Sequence, residues 1–390
     1  MSSVAPYIEG QVADGFGAVH DAFRSVVHAD TTTGAALSIW RHGQLVVDLA
    51  GGIAQPRSER RWTLETPSVI FSCTKGLMSI LLARLVQEGR LDYDAPVAQY
   101  WPEYASAGKE RTRVSAALSH RAGLSAPRTD WTLQDILEWP RATSLLAQEQ
   151  PLFEPGSAWS YHAITHGWLT GELVRRATGL MPGRYFAAAV TEPLGARAWL
   201  GLPDTEQDVV THMQVGETLA DLVSEQRAAY ESGASVWPYR AMTLGGALPL
   251  ELVGDDQGFN RADVRAAQIP GAGAVSTANS LAKIWSAVVV ETEGVRLLQD
   301  EALDRAVQVQ SEGPPYFATP GPWPRWGMGF QLDSEARRYL GPSSLGHDGA
   351  GGQVAFADRD SEIGFAFLTN RMEAVDDRAN RIIEALAVSV

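Results

Sequence analysis

The chain has 390 residues, with 32 lysines and arginines against 46 aspartates and glutamates and a formal net charge of −14. Its 45% hydrophobic content supplies a core for one large domain or two intimate ones, and its acidity argues against nucleic acid or an anionic membrane surface as the main partner. Only three residues are lysines (Lys75, Lys109 and Lys283) and one is a cysteine (Cys73), so amine chemistry has three candidates, while an internal disulfide or a cysteine-based zinc cluster is excluded.

The opening residues show no basic stretch followed by an apolar one, and no run approaches 18 apolar residues, so the expected location is cytoplasmic. Phe16, Val19, Phe23, Val26 and Val27 recur at helical spacing between Asp14 and Asp30, predicting an amphipathic helix. Two β-rich runs, GAALSIW and LVVDLAGG, flank Arg41-His42-Gly43-Gln44 and predict a hairpin. Apolar residues from Leu77 to Val86 predict a helix over 72–88, with Gly89 placed to end it. Helical patterns broken by Pro and Gly turns dominate 92–200. Residues 201–268 have no clean period and read as irregular structure with short helices, expected near the active site as part of the pocket wall together with the helical subdomain. Ser276-Thr277-Ala278-Asn279 offers caps for a helix carrying Ser280 and Lys283. Residues 326–332, 352–357 and 363–369 read as strands, and 377–388 as a closing helix. The fold class is therefore α/β. An antiparallel sheet is assembled from both chain ends and flanked by helices, with residues 1–90 and 269–390 as the sheet domain and 91–268 as an inserted, mostly helical subdomain.

Each lysine follows a serine by three residues: Ser72-Cys73-Thr74-Lys75, Ser106-Ala107-Gly108-Lys109 and Ser280-Leu281-Ala282-Lys283. Three residues is close to one helical turn, so on a helix such a pair shares a face. A serine hydroxyl becomes a useful nucleophile when an adjacent base takes its proton, and lysine can be that base once its pKa falls toward neutrality. Burial and the positive end of a helix dipole both lower it. Only Ser72 stands at a helix start behind an apolar run, Val69-Ile70-Phe71. Lys109 lies in a polar turn and is expected to be solvated and fully charged, and Ser280-Lys283 lacks companion motifs. The plain alternative for Ser72 and Lys75 is a capping serine and a snorkelling lysine.

Two further segments join this one. Phe153-Glu154-Pro155-Gly156 leads to Tyr161, which by itself would be a core tyrosine, and Gly346-His347-Asp348-Gly349-Ala350-Gly351-Gly352 by itself would be a hairpin turn ahead of a strand. With Leu118-Ser119-His120-Arg121-Ala122-Gly123-Leu124 and Pro270-Gly271-Ala272-Gly273, the set resembles, over nearly the whole chain, the serine β-lactamase and penicillin-recognising superfamily, and within it the class C β-lactamase-like family VIII carboxylesterases. The resemblance implies Ser72 as the acylated nucleophile and Lys75 with Tyr161 as the proton-transfer pair. It implies His347, Asp348 and Gly349 as the third motif, and the N–H groups of Ser72 and Ala350 as an oxyanion hole. The implied reaction is hydrolysis of small to medium acyl esters through a covalent ester on Ser72, with acyl transfer, weak β-lactam hydrolysis or cephalosporin deacetylation as alternatives.

One departure matters. Where β-lactamases have Tyr-x-Asn, this chain has Tyr161-His162-Ala163, and alanine cannot hold a β-lactam's amide. His162 and His166 stand four apart but lack the glutamate of H-E-x-x-H, so no metal is expected, and no cofactor. No Gly-x-Ser-x-Gly occurs, which excludes an α/β-hydrolase elbow. Trp101, Trp131, Trp139, Trp159 and Trp168 are expected in the core, with one or two walling an acyl pocket, and Cys73 is expected to be a buried packing residue.

Overall fold

The computed structural model describes residues 7–390; residues 1–6, which open the predicted sheet domain, lie outside them. The strands used below are β1 (Ile8–Val12), β2 (Gly34–Arg41), β3 (Gln44–Gln55), β4 (Ser68–Val69), β5 (Ala198–Leu200), β6 (Ala274–Ser276), β7 (Arg325–Trp326), β8 (Gln331–Leu332), β9 (Ser344–Gly349), β10 (Gln353–Asp358) and β11 (Ile363–Thr369). Among the helices, those used below are α1 (Gly17–Ala29), α2 (Cys73–Gln87), α3 (Val114–Leu118), α4 (Thr165–Thr178), α5 (Glu217–Glu231), α6 (Val236–Thr243), α7 (Ala278–Val289) and α8 (Arg378–Ala387).

The main sheet is antiparallel in the order β1-β3-β2-β11-β10-β9-β8-β7, with Arg60–Arg61 added beside β3. The first and last parts of the chain meet where β2 pairs with β11, Leu37 opposite Phe367. Both faces are buried, so β11 reads IGFAFLT rather than alternating with polar residues. On one face Leu37, Ile39, Phe356, Phe365 and Phe367 pack against Phe23 of α1 and Ile382 of α8. On the other, small residues admit α7: a β-carbon on Gly364 would lie 2.2 Å from the Ala282 carbonyl oxygen.

This is the β-lactamase-like α/β architecture expected of the sequence, with α7 and α2 on the face opposite the terminal helices. Three local differences follow from tertiary context. Residues 326–332 form a hairpin of two short strands, β7 and β8, turning at Gly327 and Gly329. The His347 segment is itself a strand, β9, with the turn confined to Ala350–Gly352. Its glycines obscure this, yet Gly346 would clash with Ala355 and Phe356 if it carried a β-carbon. Residues 201–268 include the 15-residue α5, whose mostly exposed faces leave only Val223 buried and so blur the helical period.

A second, three-stranded sheet, β4-β6-β5, holds two segments together: the Ile70 N–H donates to the Ala274 carbonyl and the Ala274 N–H to Thr74 Oγ1. Behind it α4 crosses the loop Pro270–Gly273 at backbone contact, where a β-carbon on Gly167 would sit 2.0 Å from the Gly271 nitrogen. Among the described residues no helix is long and apolar enough to cross a membrane. Gly167→Ala is predicted to destabilise the fold by about 1–3 kcal/mol, read as a lowered urea midpoint, because neither backbone can yield; an unchanged midpoint would contradict this packing.

Candidate active site

α2 begins at Cys73, with Ser72 as the residue that would cap it. The Ser72 hydroxyl makes no capping bond. Instead Lys75 Nζ lies 2.9 Å from Ser72 Oγ, which separates this arrangement from the capping-serine alternative. Phe71, directly before it, is held at φ 44°, a left-handed conformation that costs a bulky residue about 1–3 kcal/mol. The Ile70 and Thr74 bonds to β6 hold this turn in place.

Lys75 is fully buried, and its other two contacts are backbone carbonyls, Ala163 at 2.7 Å and Gly271 at 2.6 Å. Burial without a facing carboxylate lowers its pKa to about 7. A neutral amine has two N–H bonds and one lone pair. With the two carbonyls taking the N–H bonds, the lone pair is left facing Ser72 Oγ.

Tyr161 belongs to the irregular stretch that follows the helix Trp139–Gln148 and leads into α4. Its ring lies 5.0 Å from Lys75 Nζ and stacks on Trp326 at 5.5 Å. Burial raises the phenol's pKa, and the adjoining Ser72 hydroxyl partly offsets the rise. The phenol is therefore protonated at neutral pH and suited to donate.

β9 supplies the opposite wall. His347 is buried, its Nδ1 donates to the Asp348 carbonyl at 2.7 Å, and burial holds it neutral. Its Nε2 has no partner among the described residues. The Asp348 carboxylate faces away to Arg337 Nε at 3.0 Å. Gly349 lets β9 press against the nucleophile turn, since a β-carbon there would lie 2.3 Å from the Ile70 carbonyl oxygen. This brings Ala350 to the cavity that Ser72 also lines. Neither the Ser72 nor the Ala350 N–H donates to a protein group among the described residues, so both are available to a ligand oxygen. Cys73 Sγ donates to the His347 carbonyl at 3.0 Å, and burial pushes its pKa well up, which makes it a tie between α2 and β9 rather than a reactive thiol.

The other two serine–lysine pairs are not dyads. Lys109, expected in solvent, is inaccessible: the turn folds under residues 147–149, Nζ donates to the carbonyls of Ser106 and Glu149, and burial lowers its pKa to about 8. The Ser106 hydroxyl points elsewhere, donating to Ala147. Lys283 pairs with Glu293, while Ser280 Oγ accepts from the Arg197 N–H.

The cavity above Ser72 has a volume of about 560 Å³. Trp159, Trp237, Phe317, Trp323 and Trp326 dominate its walls, and among the described residues Asp348, whose carboxylate is paired, is the one Asp, Glu, Lys or Arg lining it. Of the five tryptophans expected in the core, Trp101, Trp131 and Trp168 are fully enclosed, Trp159 lines the cavity and Trp139 is partly buried. Trp237 lies within residues 201–268, the segment expected near the active site, but neither it nor Phe317 is singled out by the sequence, since both sit in segments without a legible period. The carbonyls of Ala163 and Gly271 also escape sequence reasoning, since backbone atoms carry no residue signal. His162 and His166 use their nitrogens on backbone: His162 Nε2 accepts from Leu124 N–H and its Nδ1 faces the Ser160 carbonyl, while His166 Nε2 faces the Leu118 carbonyl.

Comparison with known proteins shows the family to which the chain belongs. The family described as Beta-lactamase matches residues 19–389. The chain is 29% identical over 366 residues to the Esterase/beta-lactamase LipL of Mycobacterium tuberculosis, covering 92% of this chain and 81% of that one. It is similar to the crystal structure of a family VIII carboxylesterase, with 31% identity, a TM-score of 0.87 and coverage of 98% of this chain and 100% of the other. A penicillin-binding protein homolog from Caulobacter crescentus gives 32% identity and a TM-score of 0.84 over 98% of this chain and 100% of its own. By sequence match and by fold, the chain belongs to the Beta-lactamase family.

Proposed function

We propose that the protein is a serine carboxylesterase that hydrolyses small to medium, uncharged acyl esters through an acyl-enzyme on Ser72. The observation that carries this reading is the Lys75 amine, buried, poised near neutrality and aimed at Ser72 Oγ by two carbonyls. The similarity to proteins named as esterases supports the same reaction class.

In this mechanism Lys75 accepts the Ser72 proton as Oγ attacks the ester carbonyl. The carbonyl oxygen becomes an oxyanion between the N–H groups of Ser72 and Ala350, with Ser72 at the positive end of α2. Collapse expels the alkoxide, which takes a proton from Tyr161 while Lys75 returns its own proton to the phenol. Water then repeats the sequence on the acyl-enzyme, releasing the acid and restoring Ser72. An ester asks nothing of position 163 beyond its backbone carbonyl, so the absence of an asparagine side chain there costs this reaction nothing.

The walls favour apolar substrates. Among the described residues no lysine or arginine lines the cavity, and burial holds His347 neutral, so a carboxylate on the acyl group would be desolvated without a partner.

Four outcomes are expected. Ser72→Ala should lower kcat/KM for p-nitrophenyl butanoate by about 10⁴-fold or more with the melting temperature nearly unchanged; retained turnover would sink the assignment. In the wild type kcat/KM should rise with pH through about 7, as Lys75 loses its proton, and then level. Lys75→Arg, which stays charged, should lose about 10²–10⁴ in rate together with that limb, and an unaltered profile would refute the base role. Finally, p-nitrophenyl butanoate should exceed mono-p-nitrophenyl succinate by about tenfold or more in kcat/KM, since only the latter carries a charge into the cavity; equal rates would contradict the neutral pocket.

A further inference from the structure

We propose that His120 is a positioning residue that holds Tyr161 against Ser72. The inference rests on the proposed role of Tyr161 as proton donor and concerns a side chain that the mechanism above does not use.

His120 follows α3 at the position where a helix turns back on itself. The Arg121 N–H donates to the Ala116 carbonyl at 2.8 Å, closing the six-residue loop of a Schellman turn, and His120 takes the left-handed conformation at φ 64°. Glycine, or sometimes asparagine, suits this position, because any β-carbon there meets the following carbonyl. A fully buried histidine is thus a costly choice for a cap alone.

What the histidine adds is a grip on both neighbours of Tyr161. Its carbonyl accepts from the Ser160 N–H at 3.0 Å and its Nδ1 accepts from the His162 N–H at 3.2 Å. Tyr161 itself lies in no helix or strand, so these two bonds bracket a residue that no regular element positions. The imidazole also packs on the Tyr161 ring at 4.8 Å and edge-on to Trp326 at 4.5 Å, and Trp326 stacks on the other aromatic of the set, Tyr161. Burial keeps the imidazole neutral, and the bond from the His162 N–H fixes its tautomer, with Nδ1 as the acceptor and the proton on Nε2. The strained cap and the two bonds together place the phenol beside Ser72.

Substitutions separate this role from capping. Glycine at 120 relieves the backbone and keeps the carbonyl bond but removes Nδ1 and the ring, whereas asparagine tolerates the left-handed conformation and offers Oδ1 to the His162 N–H. Steady-state kinetics on p-nitrophenyl butanoate, with melting temperatures, should show His120→Gly losing about 10- to 100-fold in kcat with KM little changed, as for a catalytic group displaced by about 1 Å. His120→Asn should stay within about fivefold of wild type, and His120→Gly should add less than about twofold to Tyr161→Phe, since residues acting as a unit are non-additive. A His120→Gly enzyme with wild-type kcat, or losses that multiply in the double variant, would overturn the proposal while leaving the role of Tyr161 intact. Tyr161→Phe without effect would overturn that role and this proposal with it. If the glycine variant does not fold, the asparagine variant decides: retention of kcat supports the grip, and a loss beyond about fivefold overturns it.

Discussion

Three parts of the chain far apart in sequence converge on one nitrogen. Lys75 Nζ touches Ser72 from its own helix, Ala163 from the stretch before α4 and Gly271 from the loop before β6. A fully buried amine needs such partners, because each unmet donor would carry a desolvation cost. The same partners decide what the amine can do. Two carbonyls and a hydroxyl stabilise it by hydrogen bonding without supplying a full negative charge, so burial prevails and the pKa falls to about 7. A carboxylate in either carbonyl's place would hold it charged.

Much of the surrounding fold follows from presenting those partners. Gly271 can reach Lys75 because α4 offers Gly167 at the crossing, and Gly349 lets β9 approach the nucleophile turn closely enough to bring His347 and Ala350 to the cavity. The small sheet β4-β6-β5 clamps the strained Phe71 turn ahead of Ser72. Several of the closest approaches here involve glycine, whose missing β-carbon lets one backbone lie against another.

The sequence carried the architecture because both ends of the chain alternate or run apolar as strands buried on a helix-covered sheet must. Residues 363–369 are legible as a strand from IGFAFLT alone. Spacing, helix position and motif resemblance also brought forward Ser72, Lys75 and Tyr161 as candidates, which the structure places side by side. The sequence failed where tertiary contact overrides local pattern. β9 reads as a turn because glycine, which lowers strand propensity, is what its crowded neighbours require. Lys109 reads as solvated because nothing local reveals that residues 147–149 fold over it. The aromatic walls at Trp237 and Phe317 and the grip of His120 on Tyr161 depend on contacts across more than 40 residues, which periodicity cannot register.

The charge state of Lys75 is the centre of this account, and the scarcity of lysine makes it directly observable. With only three lysines, a sample labelled with nitrogen-15 at the side-chain amines gives at most three Nζ resonances to follow through a pH titration, and Lys75→Arg identifies one of them. The account predicts that this resonance titrates with a midpoint near 7. A midpoint close to the ordinary lysine value, about 10.4, would contradict it.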